Sequence, residues 1–386
     1  MLRIASLCCC LLALVATGCR RRGAEKDYAR QLAPGGVALI EVPASHWPAF
    51  DLRATDRSGL LTGIEHSLTY LDAPSAAEHF PIAGISKDRV RRGLERFREL
   101  LRSSPAPAAL NRALRRDFRL YRSVGYDGRG GVLFTGYYTP IFDASRERTA
   151  RFRHPIYKRP DDLISPADPK AIARQRLPGG GSRAYPTRAE LEASGALRGL
   201  ELAWLPEPYD PYNVQVQGSA KLRLRDGSIM EVGYDGTNGH PYVAIGRELV
   251  KDGHLRPHEV SLRSIRAFFR AHPQLLPQYT RRNPRFVFFT QTQGGPYGSL
   301  GQEVTADVSI ATDKEIFPRA ALTWVHTSLG NERGGRPYAA FRLDHDTGGA
   351  IRAPGMCDLY MGEGAYGESR AGRQRAEGLL YYLVAR

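Results

Sequence analysis

Apolar residues return every three to four positions after Ser86, at Val90, Leu94, Phe97 and Leu101, with arginines between them. This spacing predicts an amphipathic helix that opens at a Ser86 cap and closes before Pro105 and Pro107. Leu110, Leu114 and Phe118 carry the same period into a second short helix. The pattern then turns to short β runs: Val132 to Tyr138, Val214 to Gln217, Leu222 to Leu224 and Ile229 to Val232. The last two are joined by the hairpin signal Asp226-Gly227. Two further helices are expected, Tyr242 to Lys251 and Ser261 to Ala271, the second stopped by Pro273. Five more strands follow, Arg285 to Thr290, Val304 to Ile310, Ala321 to His326, Tyr338 to Leu343 and Leu379 to Val384, separated by Gly- or Pro-bearing turns. Short strands at that spacing predict a small barrel built from the C-terminal hundred residues. No period of solenoid type is present.

Composition adds limits. A chain of 386 residues with 42% hydrophobic and 25% charged content can bury a sizeable core, in two domains. Its 40 glycines and 26 prolines follow no fixed period, which excludes a collagen-like chain and predicts many turns. Arg3 precedes the apolar stretch Ile4 to Val15, and Ala16, Thr17 and Gly18 lead into Cys19. That is a secretory signal over residues 1–18. Its ending resembles a bacterial lipobox, which would make Cys19 the lipid-carrying first residue; Ala16 departs from the leucine usual at its place. Arg20 rather than aspartate after the cysteine favours, by the same resemblance, the periplasmic face of the outer membrane. Residues 19–35 are polar and read as a tether. Beyond the signal no apolar run reaches the roughly 18 to 20 residues of a membrane-spanning helix. With Cys8, Cys9 and Cys10 in the signal and Cys19 modified, Cys357 stands alone and no disulfide framework is expected. Lys and Arg total 55 against 40 acidic residues, a net charge of +15. An excess this evenly spread reads first as a compositional habit. As a binding face it would suit a nucleic acid, an acidic wall polymer or an anionic lipid surface, and no nucleic-acid-binding motif supports the first of these.

Signatures of metal or nucleotide chemistry are missing: no His-Glu-x-x-His, no Gly-x-x-x-x-Gly-Lys, no cysteine cluster. No metal and no cofactor are expected. Gly179 to Gly181 and Gly294 to Gly301 lack the strand-then-helix setting of a phosphate cradle and read as loops. Three aspartates draw attention because each lies at a strand end beside apolar residues rather than in a charged run: Asp313, Asp346 and Asp358. An acid in such a place is either a turn or cap former or a functional group.

The chain resembles the membrane-bound lytic murein transglycosylase A family from about Phe118 to Ala385. The resemblance is carried by Thr135-Gly-Tyr-Tyr-Thr-Pro140, Pro155-Ile-Tyr157, Pro186-Thr-Arg-Ala-Glu190, Val214-Gln-Val-Gln-Gly-Ser219, Tyr234-Asp-Gly-Thr-Asn-Gly-His240, Asn283-Pro-Arg-Phe-Val-Phe-Phe289, Asp346-Thr-Gly-Gly-Ala-Ile351 and Asp358-Leu-Tyr-Met-Gly362. The last two blocks, with Asp313, also resemble the three-aspartate cell-wall domain. The resemblance implies a mainly β fold with a few helices. A double-psi β-barrel domain (residues 36–142 and 296–386) would carry the catalytic aspartate. A second β-rich domain (143–295) would be inserted into it, with a glycan groove between the two. It implies non-hydrolytic cleavage of the β-1,4 bond between N-acetylmuramic acid and N-acetylglucosamine, leaving 1,6-anhydromuramic acid ends, with peptidoglycan strands as partner and no cofactor. Cell-wall synthesis or division machinery would be a further partner. Asp358 matches the family's acid/base by its place in the block. Asp346 either supports it or merely ties the Gly348-Gly349 turn, and Asp313 reads as structural.

The chemistry is consistent with one carboxylate. Glycosidases use two, one to protonate the leaving oxygen and one as nucleophile or base for water. In a transglycosylase the muramoyl C6 hydroxyl attacks its own anomeric carbon, so one group serves as acid and then as base. Intramolecular attack has a high effective molarity, and positioning replaces the second carboxylate. Tyr137 and Tyr138 could stack on sugar faces or pack in the core. Gln215 and Gln217, on one face of a strand by period two, and Ser219 could bond N-acetyl and hydroxyl groups. Asn238 and His240 read as loop-shaping. The rivals are a wall-binding lipoprotein without chemistry, a hydrolytic glycosidase with Asp346 as second carboxylate, and a cysteine hydrolase using Cys357 with His345 or His240.

Overall fold

The computed structural model describes residues 26–168, 171–331 and 334–386. The expected signal peptide and Cys19 lie outside the described residues. Six strands pair in a closed ring: β1 (Val132–Thr139), β2 (Ser309–Ala311), β3 (Leu322–Leu329), β4 (Arg336–Asp346), β5 (Met356–Glu363) and β6 (Arg375–Ala385). Around the ring the order is β6, β3, β4, β2, β5, β1 and back to β6. β5 runs parallel to β1 and β2 parallel to β4, while the other ring pairings are antiparallel. Closure depends on the length of β6. Its first residues, Arg375 to Gly378, pair with β1, and Leu379 to Leu383 pair with β3. Gly378 sits at the handover, where a Cβ would stand 2.2 Å from the His326 carbonyl oxygen. Only glycine lets the strands approach so closely. Strands Phe118–Ser123 and Leu39–Glu41 extend the sheet beyond β6.

Helices Arg57–Asp72 and Lys87–Ser103 cover the ring and share one core with it, including Leu60, Ile64, Phe97, Trp324 and Phe341. The second helix starts where the sequence predicts, with Ser86 accepting a hydrogen bond from the Arg89 N–H. Helix Arg57–Asp72 escapes the sequence reading, although Leu60, Ile64, Leu68 and Leu71 bury one face of it. Its Gly, Ser and Thr content dilutes that stripe. Phe118 opens a strand rather than closing the preceding helix, Pro107–Asp117.

Past Pro140 the chain leaves the ring directly into Ile141–Asp143, which joins Ser219–Arg223, Ile229–Thr237 and Val287–Thr292 in a four-stranded sheet. Three separate apolar clusters belong to this part, drawn from residues 144–289. The Asp226-Gly227 hairpin forms as expected, with Ser219–Arg223 antiparallel to Ile229–Thr237. Two expected strands differ. Of Val304 to Ile310 only Ser309 and Ile310 are strand, at the start of β2. Val214 to Gln217 is not a strand: it lies in the helix Asp210–Gln217. Pro211 suits a first helical turn, and Gly218, at φ 81°, ends the helix in the left-handed conformation. These caps override the period-two alternation of Val-Gln-Val-Gln.

Residues 26–31, in the segment read as a tether, pack on the ring instead of hanging free. Tyr28 meets Tyr126 edge-on at 4.8 Å and bonds Glu377, which also pairs with Lys26 at 2.7 Å.

Candidate active site

Register brings the chemistry together. Across five neighbouring strands one row reads Asp346 (β4), Ala311 (β2), Asp358 (β5), Thr135 (β1) and Arg375 (β6). Directly opposed residues face the same side of a sheet, so Asp358, Thr135 and Arg375 present their side chains together, while Asp346 joins the row across a register shift between Ile310 and Ala311. Asp346 and Asp358 are two strand spacings apart, roughly 10 Å between Cα atoms.

Asp358 is half-buried at the base of a cleft of about 320 Å³. One wall comes from the ring, through Thr135 to Tyr137, Gly348 to Ile351, and Ala371, Gly372, Gln374 and Arg375. The other comes from the inserted part, through Arg188, Gln215 to Gln217, Tyr242 and Arg285. Among the described residues lining this cleft, Asp358 is the single carboxylate. Burial pushes it from 3.8 up to about 6; the Thr135 hydroxyl, which donates a hydrogen bond to it, pulls the other way, and the Asp346 charge adds to the rise. A carboxyl held there is a fair proton donor near neutral pH.

Asp346 is held differently. One of its oxygens accepts from the backbone N–H groups of Ser299 and Thr347, each at 2.8 Å. Burial raises it, those two bonds oppose the rise, and the Tyr137 hydroxyl faces it without a hydrogen bond of good geometry. It ties two loops together and lends its charge to Asp358. Asp313 is buried at 1% exposure and accepts from the Glu315 N–H in its own turn, away from the cleft lining.

The expected groove residues divide. Tyr137 lines the cleft, its ring 5.1 Å from that of Tyr360. Tyr138 points the other way, is 1% exposed and meets Asn213 at 3.0 Å, so core packing claims it rather than a sugar face. Gln215 and Gln217 both border the cleft but do not share a face, because residues two apart on a helix diverge. Gln215 accepts from buried Arg188 at 2.6 Å, and Gln217 accepts from the Tyr138 N–H at 3.2 Å. Ser219, on the strand after that helix, lies outside the cleft lining. Asn238 shapes its loop, donating to the Pro186 and Pro284 carbonyls, and His240 meets the Tyr185 carbonyl at 2.8 Å.

A cysteine mechanism has no footing. Cys357 is fully buried, and burial pushes its thiol well up, away from the thiolate. His345 has Ser67 at 2.8 Å on one ring nitrogen and Ser309 at 2.9 Å on the other, and burial lowers it to about 3. The sequence reading missed the buried group behind β5. There Asp344 pairs with Lys314 and accepts from Thr312 and Tyr382, each at 2.7 Å. Lys314 and Asp344 are thirty residues apart with no local pattern, so only the ring's register unites them.

Comparison with known proteins agrees with this arrangement. The family model described as MltA specific insert domain matches residues 133–290, and the 3D domain model matches residues 308–384. The membrane-bound lytic murein transglycosylase A of Escherichia coli K12 is 31% identical over 269 residues, 68% of each chain. That of Vibrio cholerae is 30% identical, covering 67% of each. The crystal structure of a membrane-bound lytic murein transglycosylase from Agrobacterium tumefaciens superposes with a TM-score of 0.75 at 26% identity, covering 90% of this chain and 98% of that one. The chain belongs to the membrane-bound lytic murein transglycosylase A family.

Proposed function

We propose that the chain is a lytic transglycosylase that cleaves the muramoyl β-1,4 bond of peptidoglycan and leaves 1,6-anhydromuramic acid ends, with Asp358 as its acid and base. The observation that carries this reading is a lone, raised carboxylate in a cleft between ring and insert. Protonated Asp358 gives its proton to the glycosidic oxygen as the bond to the anomeric carbon breaks. The resulting carboxylate then takes the proton of the C6 hydroxyl as that oxygen closes onto the same carbon. Thr135 keeps the carboxyl oriented, and Asp346 acts through its charge and by holding the 346–351 turn.

A hydrolase would need a second carboxylate across the scissile bond. Asp346 is committed to two backbone N–H groups and is absent from the cleft lining, which favours the transglycosylase. Tyr137, Gln215 and Gln217 serve in glycan binding in this account.

The same proposal takes residues 36–142 and 296–386 as the catalytic domain, with the closed ring as its double-psi β-barrel, and 143–295 as the insert. It places the mature chain at the periplasmic face of the outer membrane through a lipid on Cys19, where wall-synthesis or division machinery would recruit it. No described helix is long and apolar enough to cross a membrane. Mass analysis of peptidoglycan digested by the protein and by Asp358→Asn tests the chemistry. Anhydro-ended products from the first and none from the second are expected; reducing ends from the first would overturn it.

A further inference from the structure

The walls on either side of Asp358 carry cations that no described residue neutralises. Arg285 comes from the inserted part and Arg375 from the ring, and both line the cleft. Arg188, the third arginine there, is buried and fully employed by Gln215, the Asn283 and Arg285 carbonyls and Glu192. Arg285 and Arg375 form no ion pair among the described residues, and the one acid lining the cleft is Asp358 itself.

Arg285 is the more telling of the two. Its guanidinium lies against Gly349 of the opposite wall, where a Cβ would stand 3.1 Å from its Nε. A single bond, to the His240 carbonyl at 3.3 Å, uses one of its five N–H donors. Burial holds it below the ordinary guanidinium range, and Arg352 in the ring's turn adds a like charge. A half-buried guanidinium beside another cation and without a carboxylate is unfavourable. An anion arriving between the walls would relieve it.

We propose that Arg285 and Arg375 are specificity residues that select glycan whose muramoyl arms carry free carboxylates, those of the peptide stem, over glycan whose arms are uncharged. This rests on the transglycosylase reading of the cleft and names the form of the substrate that it takes. Charge-assisted, forked bonds from guanidinium to carboxylate are the strong and geometrically selective kind. Arg375 stands two strands from Asp358 in the common row, so an arm held there leaves the scissile bond over the acid. Part of the chain's arginine excess thereby has a use in binding, which the sequence reading set below compositional habit.

The test uses soluble peptide-bearing glycan strands before and after conversion of their carboxylates to amides, which removes charge and keeps shape. The wild-type kcat/KM should favour the carboxylate form by about tenfold. That preference should shrink with added salt, whereas turnover of the amide form should not respond. Arg285→Gln and Arg375→Gln should each cut the preference by about threefold, and the double variant should abolish it. Equal turnover of the two forms by the wild type, at low salt, would overturn the proposal. So would a preference that survives the double substitution, with melting curves reporting whether each variant folds. Were a variant to misfold, the wild-type ratio and its salt response still decide. Failure of the underlying reading looks different: neither form would then yield anhydro ends.

Discussion

Replacing Asp358 by Asn should make the protein more stable at pH 8 while removing its activity. In the folded state the carboxyl titrates at about 6, against 3.8 for an ordinary aspartate. Because the folded value lies above the unfolded one, protonation favours folding. Its stabilising effect is complete below pH 3.8 and is lost as pH rises through 6. A rise from 3.8 to about 6 corresponds to about 3 kcal/mol between the protonated and ionised forms. The side chain is half-buried, so solvent screening reduces this to about 1–2 kcal/mol. Asn keeps an oxygen for the Thr135 hydroxyl and carries no charge to bury. Melting curves of both proteins at pH 4 and pH 8 make the comparison. The variant should melt about 1–3 °C higher at pH 8, with the gap closing toward pH 4. A variant less stable at pH 8, or a gap independent of pH, would refute the argument that burial raises this acid.

Three further outcomes follow from the same geometry. Thr135→Val removes the hydrogen bond that holds Asp358 down, so the alkaline limb of the pH profile of kcat/KM, expected near pH 6, should move upward; an unmoved limb would contradict the pairing. Lys314→Met removes the cation paired with buried Asp344 and leaves it only the Thr312 and Tyr382 hydroxyls; it should cost about 3–5 kcal/mol in denaturant unfolding, whereas a loss under about 1 kcal/mol would show that the pair matters little. Cys357→Ala should still release anhydro-ended products, and loss of activity with the fold intact would revive a thiol mechanism.

How much of this is legible in the sequence depends on the range of the interaction. Helix Lys87–Ser103 and the ring strands β1, β3, β4 and β6 follow from periodicity and caps, because their signals lie within a dozen residues; β2 is shorter than its apolar run, and β5 is not among the strands the pattern predicts. Gln215 and Gln217 reach the cleft for a different reason than their spacing suggests: alternation points to a strand, while Pro211 and Gly218 make a helix. Tyr137 and Tyr138 are indistinguishable by composition, and only the ring shows that one faces the cleft and the other the core. Asp358 can be singled out by its block. Its partner Thr135 cannot, since 223 positions separate them and only the parallel register of β5 on β1 joins them. The same holds for Arg285 against Gly349.

The most direct test of the central claim follows the oxygen. Peptidoglycan digested by the purified protein in heavy-oxygen water should yield muramoyl ends that carry no label and lack one water relative to reducing ends, because the C6 hydroxyl of the sugar is the nucleophile. Labelled reducing ends would mean that water attacks, that a second carboxylate works beside Asp358, and that the account is wrong at its core.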